Sequence, residues 1–139
     1  MIREAVLAEA RTWLGTPFHH KAMVKGVGVD CAHFLLGVFS AVGVVPRFSV
    51  DHYPPDWHFH RGEERFLGIL SQYADIVNAP ETGDVAMFKF GRCASHGAVV
   101  VAWPQVIHSY IGQGVVFTDA EGAELGGRLH SFWRVRGSS

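Results

Sequence analysis

With 139 residues the chain is the size of one domain, and 1–139 is read as a single folding unit able to bury a core without disulfides or a structural metal. Lys and Arg total 12 against 13 Asp and Glu, a formal charge of −1 with no basic patch or acidic tail, which argues against nucleic acid as a partner. The uncharged stretch from Cys31 to Val45 contains His33, Ser40 and two glycines and falls short of the roughly 18 apolar residues of a membrane span, so membrane insertion is not expected.

In chain order, Ile2, Val6, Ala10 and Trp13 recur at helical spacing with Arg3, Glu4, Glu9 and Arg11 between them, which predicts an amphipathic helix over 2–13. Charge at Arg3 and Glu4 interrupts the apolar core that a secretory peptide needs, and synthesis in the cytoplasm is expected. Gly15-Thr16-Pro17 ends the helix, and Phe18 to Val29 reads as a loop. Asp30 is a good N-cap for a buried helix carrying Phe34, Leu35, Val38, Phe39 and Val42, so Cys31 falls in its first turn. Gly43 and Pro46 close it.

Arg47 to Arg61, with Pro54-Pro55 and three histidines, has no period and reads as a surface loop. A third helix is predicted from about Glu63 to Ile76. Beyond Gly83 the texture changes to short runs rich in β-branched and aromatic residues: 85–90, 96–102, 106–110, 115–118 and 131–135. Helices first and strands after predict an α+β fold with an antiparallel sheet.

Cys31 and Cys93 are too few for a disulfide framework, so either is free for chemistry. A helix N-terminus stabilises a thiolate through partial positive charge and free N–H groups, and the same groups suit an oxyanion. Cys31 has that position, although a buried cysteine is more often a small hydrophobe. Cys93 reads as an ordinary thiol in the turn before Ser95-His96. A cysteine nucleophile needs a base and an orienting partner, and His96 and His108 are the candidates at strand positions. If the strands on either side of Trp103 form a hairpin turning about that residue, Ala98 lies opposite His108, with His96 two residues along on the same face, a diagonal of roughly 7 Å, although spacing alone does not set the register. His58 and His60 are spaced like a strand-borne metal pair, but nothing completes a zinc site, and no metal is expected.

These residues resemble the NlpC/P60 peptidases, most closely the group found among bacteriophage tail and gene-transfer-agent proteins. The resemblance runs through Trp13-Leu14-Gly15-Thr16-Pro17-Phe18, Gly26-Val27-Gly28-Val29-Asp30-Cys31, Tyr53-Pro54-Pro55-Asp56-Trp57 and Gly83-Asp84-Val85-Ala86-Met87-Phe88. It continues through Ser95-His96-Gly97-Ala98-Val99-Val100 and Val106-Ile107-His108-Ser109-Tyr110. It implies a papain-like core, Cys31 as nucleophile, His96 as base and His108 as orienting residue. Phe18, His19, Asp30 and Ser95 are then expected at the substrate, with no cofactor. The implied substrate is the peptide stem of bacterial peptidoglycan, and the implied partners are tail-tip or hub proteins of a virion that acts on the host wall in the periplasm. Two departures bear on specificity: Phe18 stands where many relatives carry a tyrosine, and Ala32-His33 follows the cysteine where Ser or Leu and then Gly are usual. Two further readings share these features. One is a structural tail component with a latent site, and the other is an acyltransferase or amidase acting on a substrate outside the wall.

Overall fold

The computed structural model describes residues 2–46, 62–91 and 93–137. The segment 47–61, with Tyr53, Trp57, His58 and His60, lies outside the described residues. Among those described, α1 (Ile2–Thr12), β1 (Met23–Val24), β2 (Gly28–Val29), α2 (Cys31–Ala41) and α3 (Gly62–Tyr73) precede β3 (Ala74–Val77), β4 (Val85–Phe90), β5 (Cys93–Ala102), β6 (Gln105–Tyr110), β7 (Gly114–Asp119) and β8 (Leu129–Val135). The last six strands form one antiparallel sheet in the order β3-β8-β4-β5-β6-β7. This is the expected α+β arrangement of N-terminal helices on a C-terminal sheet.

Helix α2 is apolar nearly all round because it is the buried element: His33 through Phe39 are all in the interior. It starts as expected, with Asp30 in extended conformation accepting from the His33 N–H. It ends in a Schellman turn, the Gly43 N–H reaching Ser40 O and the Val44 N–H reaching Phe39 O, with Gly43 at φ +83° where a side chain would be strained. Trp13 lies flat enough on α2 that a Cβ at Gly37 would sit 2.7 Å from its ring. One face of the sheet packs Met87, Val99, Val101 and Ile107 against Val6, Trp13, Phe34 and Val38 of the helical layer. The other buries Ala86, Phe88, Ala98, Val100 and Val106 under Ala120 and Leu125 of the segment before β8. Both faces of β4 and β5 are therefore covered, which accounts for their near-continuous apolar runs.

Three expectations need correction. Residues 18–29 are not only loop: β1 and β2 form a small hairpin, Met23 opposite Val29. The third helix stops at Tyr73, and 74–77 turn into an edge strand on β8 because the chain there pairs with 132–135. Cys93 opens β5 opposite Phe90 instead of lying in a turn.

Asp84, fully buried at the start of β4, holds the sheet to the helical layer. Its oxygens accept from Arg134 Nε at 3.0 Å and Nη2 at 2.8 Å and from the Glu81 N–H at 2.8 Å, with Arg3 Nη1 at 3.5 Å. Removing one partner of such a buried set leaves the others uncompensated. Asp84→Ala should cost about 3–5 kcal/mol in urea denaturation, whereas the exposed Arg136–Asp75 pair should contribute under about 1 kcal/mol.

Candidate active site

Asp30 decides where the site begins. Its Oδ1 accepts from the His33 N–H and contacts His33 Nδ1, both at 2.9 Å, while Oδ2 accepts from the Lys21 N–H at 2.7 Å. These bonds fix the first turn of α2 and tie the preceding loop to it. Asp30 is 3% exposed and so turns inward to the backbone, not toward a substrate. His33 is likewise interior, folded back on Asp30, and it neither narrows a cleft nor faces outward.

The β5–β6 ladder runs from Ala102 and Gln105 down to Val99 opposite Ile107 and stops there, although both strands continue. Extending the register by one step sets Ala98 opposite His108, the arrangement expected from a turn about Trp103. Past that point β6 separates from β5 while staying paired with β7, as it is along its whole length, and Ser109 Oγ donates to Val29 O at 2.7 Å. The N-terminus of α2 fills the split. Cys31 Sγ donates to Ser95 O at 3.8 Å and receives the Gly97 N–H, so the sulfur touches the backbone on both sides of His96. The N–H groups of Cys31 and Ala32 also point at it.

His96 Nε2 lies 2.7 Å from His108 Nδ1, and His108 Nε2 lies 2.9 Å from Thr118 Oγ1. His108 has no exposed surface. Phe90 stands edge-on to His96 at 5.3 Å and Tyr110 at 5.8 Å, while the Arg128 guanidinium lies 4.5 Å over Phe90. The structure thus brings Cys31, Ser95, His96 and His108 together. Ser95 contributes its carbonyl from a buried position. Phe18 bridges to Val29 in the loop beside the site, and His19 is exposed, its Nδ1 3.2 Å from His20 O. Phe90, Tyr110 and Thr118 were not singled out in the sequence. Tyr110 sits two residues beyond His108 in a strand and was findable by alternation; Phe90 and Thr118 required the β4–β5 and β6–β7 registers.

Burial, reinforced by the Asp30 charge, pushes the Cys31 thiol up to about 12, against the pull of the three backbone N–H groups. Burial and the neighbouring His108 hold His96 well below the ordinary imidazole range, and burial lowers His108 to about 4 despite the Glu124 carboxylate. All three shifts favour the neutral forms, a thiol beside two uncharged imidazoles. That arrangement can pass a proton from sulfur to ring without changing its net charge. Among the described residues no cluster of His, Cys, Asp and Glu could hold a metal ion.

Two outcomes follow. In a Cys93→Ser background, alkylation of Cys31 by iodoacetamide should be slow near pH ~7 and still be accelerating beyond pH ~9.5, where an unperturbed thiol has levelled off. Because His108 binds its proton more weakly folded than unfolded, the stability it contributes is full above pH ~6.5. That contribution is lost as pH falls toward ~4, by about 3 kcal/mol in all. Urea titrations of the native chain and of His108→Gln across that window should show the smaller loss in the variant.

No family model matches the sequence, and neither does any curated protein. Solved structures do match. An NlpC/P60 family protein from Bacillus cereus ATCC 10987 superposes with a TM-score of 0.72 at 18% identity, over 96% of this chain and 40% of that one. The NlpC/p60 domain of the peptidoglycan hydrolase SagA gives 0.65 at 17% identity, over 96% of this chain and 98% of that one. RipD from Mycobacterium tuberculosis, described as a non-catalytic NlpC/p60 domain protein adapted to peptidoglycan binding, gives 0.62 at 14% identity, over 99% and 98%. The chain spans less than half of several of the larger proteins it matches. At such identities the likeness is one of architecture, and the architecture of this chain is the NlpC/P60 fold.

Proposed function

We propose that the protein is a cysteine peptidase that cleaves the peptide stems of bacterial peptidoglycan. The observation that carries this reading is the juxtaposition of Cys31 Sγ, at the capped start of α2, with the backbone flanking His96, whose ring is bonded in turn to His108. His96 Nδ1 takes the thiol proton as Sγ attacks the scissile carbonyl, and the N–H groups of the first turn of α2 stabilise the oxyanion. His96 then protonates the leaving amine, and water, deprotonated by the same ring, releases the acyl group from Cys31. His108 orients the base. Phe90 and Tyr110 wall the ring, and Arg128 offers a positive edge to the carboxylates of a stem peptide.

The neighbouring SagA is a peptidoglycan hydrolase, which supports the wall as substrate. The motif resemblance supports a finer assignment: a component of a phage tail or gene-transfer agent, made in the cytoplasm, assembled with tail-tip or hub proteins, and acting on the host wall in the periplasm. A second reading has its own support. The thiol is raised to about 12 and bonded to Ser95 O, and RipD keeps this fold without catalysis, so a wall-binding or tail-structural protein with a latent site fits the same frame.

Mass spectrometry of purified peptidoglycan and of a synthetic stem tetrapeptide distinguishes them. New peptide ends should appear with the native protein and fall by about 10³-fold or more with Cys31→Ala or His96→Ala. Retained cleavage by Cys31→Ala overturns the mechanism, and sedimentation with peptidoglycan without any cleavage favours the binding reading.

A further inference from the structure

His108 has a second nitrogen that orienting His96 does not use. His108 Nε2 lies 2.9 Å from Thr118 Oγ1, on β7. In the β6–β7 register His108 faces Val116, so Thr118 is its diagonal neighbour on the same face, as His96 is on the other side. His96, His108 and Thr118 make one diagonal row across three strands.

Protons can occupy this row in two consistent ways while both rings are neutral. If Thr118 Oγ1 accepts from His108 Nε2–H, then His108 Nδ1 is bare and accepts from His96 Nε2–H. That leaves His96 Nδ1 with a free lone pair. If the Thr118 hydroxyl instead donates to His108 Nε2, then His108 Nδ1–H donates to His96 Nε2, and the proton on His96 moves to Nδ1. A base with its proton already on Nδ1 cannot take one from Cys31. The choice is made at the hydroxyl, because His108 is fully buried and, among the described residues, its two nitrogens bond to His96 and Thr118. Thr118 is half-buried and lines a shallow surface depression of about 280 Å³ with Pro104, Gln105, Phe117 and Asp119. Its O–H hydrogen can turn toward that opening while a lone pair faces the ring.

We propose that Thr118 is a positioning residue that accepts the His108 Nε2–H and so holds His96 in the tautomer whose Nδ1 is free to act as base. This rests on the reading of Cys31, His96 and His108 as a catalytic set, and the test separates the two. Imidazole ¹⁵N NMR of the native protein near neutral pH should show Nδ1 of both His96 and His108 unprotonated and Nε2 of both protonated. Thr118→Val, which replaces the hydroxyl with a methyl group of the same shape, should mix the tautomers of both rings. It should also lower kcat on a stem peptide about tenfold, the worth of one lost hydrogen bond, with KM little changed. Thr118→Ser should restore both readouts. A native spectrum with His108 protonated at Nδ1 overturns the proposal, as does a folded Thr118→Val protein with native tautomers. The native spectrum decides even if the valine variant does not fold. If the tautomers respond as expected but no stem peptide is cut, the positioning role stands and the peptidase reading fails.

Discussion

The Asp30 carboxylate takes hydrogen bonds from the Lys21 N–H, the His33 N–H and the His33 ring while remaining almost wholly buried. A carboxylate is stable in such a place only when its oxygens are satisfied, so the loop, the helix start and the His33 rotamer are specified together. Lys21 sits at φ +65°, a conformation costing a non-glycine residue roughly 1–2 kcal/mol, and its N–H bond to Asp30 offsets that strain. The position of Cys31 follows from these contacts. The same charge also raises the thiol's proton affinity, so the group that places Cys31 opposes its ionisation. Three backbone N–H groups act in the other direction, and the balance leaves a neutral thiol.

How the sheet receives that helix depends on the early end of the β5–β6 ladder. Were it to continue past Val99 and Ile107, β6 would occupy the space where Sγ meets Ser95 O and the Gly97 N–H. Ser109 gives its hydroxyl to Val29 O, and Val115 exchanges backbone bonds with Gly15 and Thr16, so the split is held open by the loop that leads into α2. Gly114 belongs to this device: at φ +77° and pressed against the Thr16 carbonyl, it has no room for a side chain. Loop, strand end and helix start are thus one assembly.

Much of this was legible in the sequence for definite reasons. Asp30 before an uninterrupted apolar run is a cap signal that depends only on local chemistry, and the main strands from Val85 on carry β-branched runs bounded by Gly and Pro. The hairpin about Trp103 was a supposition about register, and the pairing of Val99 with Ile107 that agrees with it depends on a shift between Val100 and Ala102 that the sequence does not show. What escaped was set by tertiary pairing. Ala74 to Val77 continue a helical pattern without a breaker, and only pairing with β8 makes them a strand. Two-residue strands such as β1 and β2 have no period to read. His33 stood out in the sequence only as a departure beside the cysteine, because nothing in the spacing shows that its ring turns back onto the Asp30 carboxylate. Thr118 needed a second register, from β6 to β7, before its relation to His108 could be seen.

The proton affinities at the site look adverse to catalysis when each group is taken alone: a thiol that resists losing its proton beside a base that resists gaining one. Both directions have the same main cause, the cost of placing a single charge in a dry environment. In the proposed mechanism, transfer from Sγ to the His96 imidazole does not incur that cost twice, because the two new charges attract each other in a low dielectric. In the same mechanism the helix N-terminus stabilises the sulfur, and His108, in the proposed tautomer, accepts at Nδ1 and stabilises the ring. For a peptidase of this kind, substrate entry supplies what the resting site lacks, since attack on a carbonyl moves the negative charge from sulfur to an oxygen at the first turn of the helix. A neutral resting state is therefore compatible with a reactive one, provided that the single free lone pair in the histidine row is on His96 Nδ1, where the thiol proton has to go.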